Sequence, residues 1–163
     1  MNSTTNPTTI TAPEGVPFVE IVREFDAPID RVFQAHVDPE LVKQWLGPHG
    51  YEMELVEWDL ATGGRYSYVH RNPAEPGAEY AFRGVIHEVV ANDHITQTFE
   101  YVGAPGQISL ETMTFTELDG GRTRVTGRSV FNSQEGRDGI LAAGMETGVV
   151  EGYERLDGIL AAG

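Results

Sequence analysis

Two side chains in this sequence could move a proton if the fold enclosed them among apolar groups. They are His70, in RYSYVHR, and Glu111, in ISLETMTFTEL. Burial disfavours the charged form of each, lowering an imidazole pKa and raising a carboxyl pKa. Both then approach neutrality, where acid–base catalysis is most effective. Tyr66 and Tyr68 share a strand face with His70 and could donate to an enolate, as an aldol-type cyclisation or a dehydration requires. The competing reading places Glu111 near a solvated mouth and His70 at a strand end beside RNPAEP. That reading removes the chemistry.

Other chemistries are excluded by residue type or spacing. The chain has no cysteine, which rules out disulfides, thiolate nucleophiles and Cys-ligated zinc. None of the five histidines stands at metal-ligand spacing such as H-E-x-x-H, so no metal is expected. Ser67, Ser109 and Ser129 lie in strands without a G-x-S-x-G elbow. ATGGR and GAPGQ read as turns rather than phosphate-binding loops, so no cofactor is expected.

Charge narrows the partners. Ten arginines and Lys43 face 25 acidic residues, a formal net charge of -14. Nucleic acid and anionic membrane surfaces would be repelled. No run is long and apolar enough to cross a bilayer. Residues 1–16 are rich in Thr, Asn and Pro, lack the basic and apolar parts of a signal peptide, and read as a disordered tail. A cytoplasmic location fits these features, and residues 17–163 read as one domain.

The elements that would position the candidates follow from periodicity. FVEIVREF alternates as a half-buried strand does. DAPIDRVFQAHVDPELVKQWLG reads as two short helices, with Asp26 as the first N-cap and Asp38-Pro39 restarting the second. Six more strands joined by short turns follow, making seven in an antiparallel meander. Met145, Val149, Gly152, Leu156 and Ile159 then recur at helical spacing and mark one face of a long C-terminal helix.

DGILAAG occurs at Asp138–Gly144 and again at Asp157–Gly163. An offset of 19 residues turns a continuous helix by about 100° beyond whole turns, so the copies cannot present one face. The repeat reads as coincidence. The first copy, crowded with glycine, reads as a loosely held segment before the main helix.

Strand alternation assigns an inner wall. Tyr66, Tyr68 and His70 share one side of a strand. Gln97, Phe99 and Tyr101 share one side of another, and Glu111, Met113 and Phe115 one side of the next. Phe82 joins them, with Gly84 as a candidate bulge in its strand. Met53, Met145 and Val149 complete the wall, and Trp45 reads either as the entrance rim or as plain helix packing. An apolar, Met-rich lining with sparse polar anchors suits a small-molecule pocket, while a solid core is the simpler alternative for each residue taken singly.

APIDRVFQAHVDPELVKQWLGP, DLATGGRYSYVH, FRGVIHEVVANDHI, TFTELDGGRTRVT and GMETGVVEGYERLDGIL occur in that order. Together they resemble the Bet v 1-like, START-related (SRPBCC) superfamily, and within it bacterial proteins similar to the activator of Hsp90 ATPase. The resemblance spans about residues 17–162. It implies an α+β helix-grip fold: a curved seven-stranded antiparallel sheet wrapped around a long C-terminal helix, with two short helices after the first strand. It also implies a largely apolar cavity between sheet and helix. The superfamily holds lipid carriers, polyketide cyclases, hormone receptors, self-resistance proteins and a co-chaperone domain. The leading expectation is non-catalytic binding of an apolar or aromatic small molecule. A cyclase or dehydratase using His70 or Glu111 comes second. A chaperone-associated module ranks third, because the eukaryotic co-chaperone engages its chaperone through a further N-terminal domain for which a 16-residue tail has no room. A homodimer through a sheet edge is left open.

Overall fold

The structure is a computed structural model that describes residues 6–162. Eight strands alternate faces in one antiparallel sheet: β1 (Thr8–Thr11), β2 (Phe18–Phe25), β3 (Glu52–Trp58), β4 (Arg65–Arg71), β5 (Glu79–Val90), β6 (His94–Tyr101), β7 (Ile108–Leu118) and β8 (Arg122–Val130). Their order is β1-β2-β8-β7-β6-β5-β4-β3. The meander from β3 to β8 is therefore as expected, and β2 closes onto β8 with Phe18 opposite Val130 and Phe25 opposite Thr123. Helices α1 (Ile29–Val37) and α2 (Pro39–Trp45) follow β2, and α3 (Gln134–Ala142) and α4 (Met145–Ala162) end the chain. This is an α+β fold in which a curved sheet carries a long terminal helix on its inner side.

The core forms where the inner face of the sheet meets α1, α2 and α4. Phe25, Ile95, Phe115 and Val125 from the strands join Val32, Phe33, Val42 and Trp45 from the short helices, and Tyr153, Leu156 and Leu160 from α4. A second cluster of Tyr66, Tyr68 and Ile86 sits beside it under Phe82 and Phe99. Burying side chains of this size stabilises by about 1.5–3 kcal/mol each.

Four expectations are corrected. The eighth strand comes from the segment read as a disordered tail: Thr8–Thr11 pairs with Arg23–Glu20. The residues after it are also tied down, because buried Arg137 donates to the carbonyls of Pro13 (2.5 Å) and Val16 (3.0 Å). With Ile10 the one large apolar residue in Thr8–Thr11, the strand had no alternation to reveal it; the part of the tail reading that covers residues 1–5 falls outside the described residues. The first DGILAAG copy lies across α3 and its end, a true helix capped by Ser133 Oγ accepting from Gly136 N at 3.0 Å. Asp26 does not cap α1, whose N-cap position is held by Pro28. Its carboxylate accepts from Arg122 Nε at 2.9 Å instead. Finally, the bulge in β5 lies between Ile86 and Glu88, not at Gly84. Gly84 pairs with Tyr66 on β4, and only glycine fits there, because an added Cβ would come within 2.5 Å of the Tyr66 hydroxyl.

Candidate functional site

Alternation brings one polar chain to the inner face. Glu111 on β7 stands opposite Gln97 on β6 and Ser129 on β8, since neighbouring strands pair at those residues. Gln97 Nε2 donates to Glu111 Oε1 at 3.2 Å, and Ser129 Oγ donates to Glu111 Oε2 at 3.0 Å. Gln97 Nε2 also reaches the Tyr66 hydroxyl at 3.3 Å, which itself donates to the Thr98 carbonyl at 2.7 Å. Among the described residues no cation pairs with the carboxylate. Burial raises the Glu111 pKa, while the bonds from Gln97 and Ser129 pull it back. Burial likewise lifts the phenols of Tyr66 and Tyr68, and Glu111 adds to the shift.

The wall around this chain is apolar and not sealed. Glu111 lies deep in the fold yet is only half-buried by surface, as are Gln97, Phe82, Phe99 and Met113 on the same face. Each of these side chains therefore keeps some accessible surface. Phe82 on β5 stacks on Phe99 at 5.3 Å and lies 5.4 Å from the ring of Tyr101, so β5 and β6 together present one aromatic floor. Met53 and Val149 are half-buried against the core, and Met145 is half-buried at the start of α4.

Other expected wall residues serve packing. Trp45 is not an entrance rim. It is 4% exposed, donates from Nε1 to the Ala35 carbonyl at 2.9 Å, and stacks on Tyr153 at 5.8 Å. Phe115 lies against Phe33 and His36 in the core. His70 is buried under Gly47, where an added Cβ would meet its Cε1 at 2.6 Å. Its Nε2 is sealed and without a partner. Burial, followed by the nearby charge of Arg155, lowers its pKa to about 4. It is neutral at physiological pH, and a guest meets that nitrogen only if the Gly47 loop moves.

Helix α4 closes the interior through backbone contacts. Arg155 Nη2 donates to the Trp45 carbonyl at 2.8 Å and to the Gly47 carbonyl, and Nη1 donates to His49 Nδ1 at 2.8 Å. Glu151 accepts from His49 N at 3.0 Å. Sequence reading missed two residues here. Tyr153 is buried on the face that the apolar spacing assigned to Gly152 and Leu156, and an i, i+3 step from it to Leu156 was the available signal. Arg23 alternates inward with Val19 and Phe25, a pattern already visible in FVEIVREF.

Two open concavities lie elsewhere. One of about 620 Å³ is on the outer face of the sheet, lined among others by Val85, His87, Thr98 and Leu110. A smaller one lies between Gln44 and the end of α4. Among the described residues no group of three or more His, Cys, Asp or Glu converges as metal ligands would, and no helix is long and apolar enough to cross a membrane.

The family described as Activator of Hsp90 ATPase homolog 1-like protein matches residues 26–161. The chain belongs to that family. Among solved structures, this Activator of Hsp90 ATPase homolog 1-like chain is similar to protein Ms6760 from Mycobacterium smegmatis. The two share 27% identity over 94% of this chain and 97% of that one, with a TM-score of 0.85. A protein from Arthrobacter aurescens is similar at 26% identity over 95% and 92% of the two chains, also with a TM-score of 0.85. DynU16, of the dynemicin biosynthetic locus, shares the fold at 21% identity, covering 89% of this chain and 47% of its own, with a TM-score of 0.67. No curated protein matches the sequence.

Proposed function

We propose that the protein binds an apolar or aromatic small molecule between the inner face of its sheet and α4, without covalent catalysis. The observation that carries this reading is the chain Tyr66–Gln97–Glu111–Ser129, set in an otherwise apolar wall that keeps open surface. A solid core gains nothing from a deep carboxylate without a cation, because its desolvation is costly. A pocket gains orientation and selectivity from the same group. The test is native mass spectrometry of protein purified from its own host, followed by thermal melts with planar aromatic probes. A retained small molecule, and a melting temperature that rises with probe concentration, are expected. A bare chain whose melting is indifferent to every probe overturns the reading.

Glu111 favours a second reading, a cyclase or dehydratase. Burial raises its pKa toward the range useful for a general acid or base. His70 does not share this support, since its free nitrogen is sealed. Turnover that follows a pH profile and vanishes in Glu111→Gln distinguishes this reading from simple binding.

A further inference from the structure

The connection from α2 to β3 crosses the nitrogen-bearing edge of His70. A Cβ added at Gly47 would lie 2.6 Å from His70 Cε1, 3.0 Å from Nε2 and 3.1 Å from Nδ1. Side chains of α4 hold the segment Gly47–Gly50 in place. Arg155 donates to the Trp45 and Gly47 carbonyls and to His49 Nδ1, and Glu151 accepts from His49 N. Glu151 and Glu154 also face His49 Nε2, at 3.7 and 3.9 Å. Among the described residues no backbone–backbone hydrogen bond ties Gly47–Gly50 to α4 or to the sheet; the bond found there is local, from Tyr51 N to the Pro48 carbonyl at 3.4 Å. Beneath the segment α4 presents glycine. Pro48 Cδ is 3.6 Å from a Cβ built at Gly148, and Gly152 faces the backbone of Gly47. Gly47 (φ 103°) and Gly50 (φ 84°) bracket the segment, and glycine turns readily into and out of such angles. The closed arrangement also leaves something unmet. His70 is 7% exposed and its Nε2 has no partner. An unmade hydrogen bond opposes closure, and water reaching the ring relieves it.

We propose that Gly47–Gly50 is a hinged strap, clamped to α4 by Arg155 and Glu151, whose opening admits solutes to His70 from the α2 side while the rest of the fold stays closed. The two glycines absorb the change in backbone angle. The clamp consists of side-chain bonds, so it can release without breaking a helix or a strand pair. Opening needs no guest, and it therefore holds or fails independently of the pocket.

Diethyl pyrocarbonate, which acylates a neutral imidazole nitrogen, tests the strap, with modified peptides read by mass spectrometry. His36 is the internal control. It is equally sealed, at 6% exposure with an unpartnered Nε2, but it lies against Trp45 and Phe115 rather than under the strap. In the wild type His70 should be modified about tenfold or more faster than His36. In sub-denaturing urea the His70 rate should barely change while that of His36 climbs, since a local opening exposes little surface. Arg155→Ala, which removes three donated bonds, should speed modification of His70 about tenfold or more and leave His36 unchanged. Glu151→Ala should speed it about threefold. Should Arg155→Ala fold poorly, the wild-type urea series and Glu151→Ala supply the comparison. Equal rates and equal urea dependence for the two histidines overturn the strap, because His70 is then reached only when the whole domain unfolds. Folded variants that speed neither histidine, or both alike, overturn the clamp and the strap with it.

Discussion

The guanidinium of Arg23 and the carboxylate of Asp157 lie side by side, Nη1 to Oδ1 at 2.9 Å and Nη2 to Oδ2 at 2.5 Å, and join the first long strand to the terminal helix. Arg23 is 1% exposed, and it also donates to the Glu24 carbonyl and to Thr8 Oγ1. Breaking a buried pair by removing one partner leaves the other charge uncompensated. Because the Asp157 side chain keeps 30% exposure, Asp157→Asn should cost roughly 3 kcal/mol, near the lower end for such pairs. The double variant Arg23→Met/Asp157→Leu should recover most of it. Urea unfolding of the wild type and the two variants checks both values.

Stability should fall in mild acid because of two histidines. Burial lowers the pKa of His36 and of His70 from 6.5 to about 4. Between those values the unfolded chain binds protons that the folded chain refuses. Their contribution is therefore complete above pH 6.5 and is lost as the pH drops toward 4, by on the order of 3 kcal/mol for each group. Glu111 acts in the opposite sense, since its raised pKa subtracts stability as the pH climbs past the carboxylate range. Urea midpoints between pH 7 and 4.5 should decline, and His70→Gln should remove about half of the decline.

Gly152→Ala should destabilise, although alanine is the better helix former by about 1 kcal/mol. The added Cβ would lie 2.9 Å from the Trp45 carbonyl and 3.4 Å from Gly47 N, both backbone atoms that cannot swing aside. Helix α4 must then shift from the α2–β3 connection. At Gly158 on the same helix, with nothing within 4 Å, the same change should be neutral or stabilising. Thermal melts of the two variants should move in opposite directions.

Arg137→Ala should free the strand-β1 segment without unfolding the domain. The guanidinium holds the Pro13, Val16 and Phe18 carbonyls from α3. Hydrogen exchange at Ile10 and Thr11 should quicken about tenfold or more in the variant, as expected when a local anchor worth over 1 kcal/mol is lost. Exchange in β6 and β7 should stay unchanged.

Strands and amphipathic helices were legible because one face of each is dry. Alternation placed Tyr66, Tyr68 and His70 together inside, and put Glu111 on the same wall as Gln97. Trp45 was ambiguous because a residue at a helix end can face rim or core with the same spacing. Elements held by side-chain bonds to backbone left no periodic trace: β1 depends on pairing with β2 and on Arg137, and α3 depends on a serine cap. The phase of β5 was obscured because its bulge follows Ile86 and shifts the count by one. Tyr153 was hidden among glycines and glutamates, although it adjoins Gly152 on the face read from Met145, Val149, Gly152, Leu156 and Ile159.

The short strand β1 also changes what the sheet shows to other molecules. Without it, eight residues of β2 would offer a regular row of free amides and carbonyls, half of it backed by apolar side chains. Instead that margin ends in four residues, Thr8–Thr11, too few to template a stable new neighbour. At the opposite margin β3 carries Glu52, Glu54 and Glu57, all exposed, which would crowd like charges against a second copy. One border is guarded by brevity and the other by repulsion, so a chain built on one large sheet resists runaway strand-to-strand stacking at high concentration.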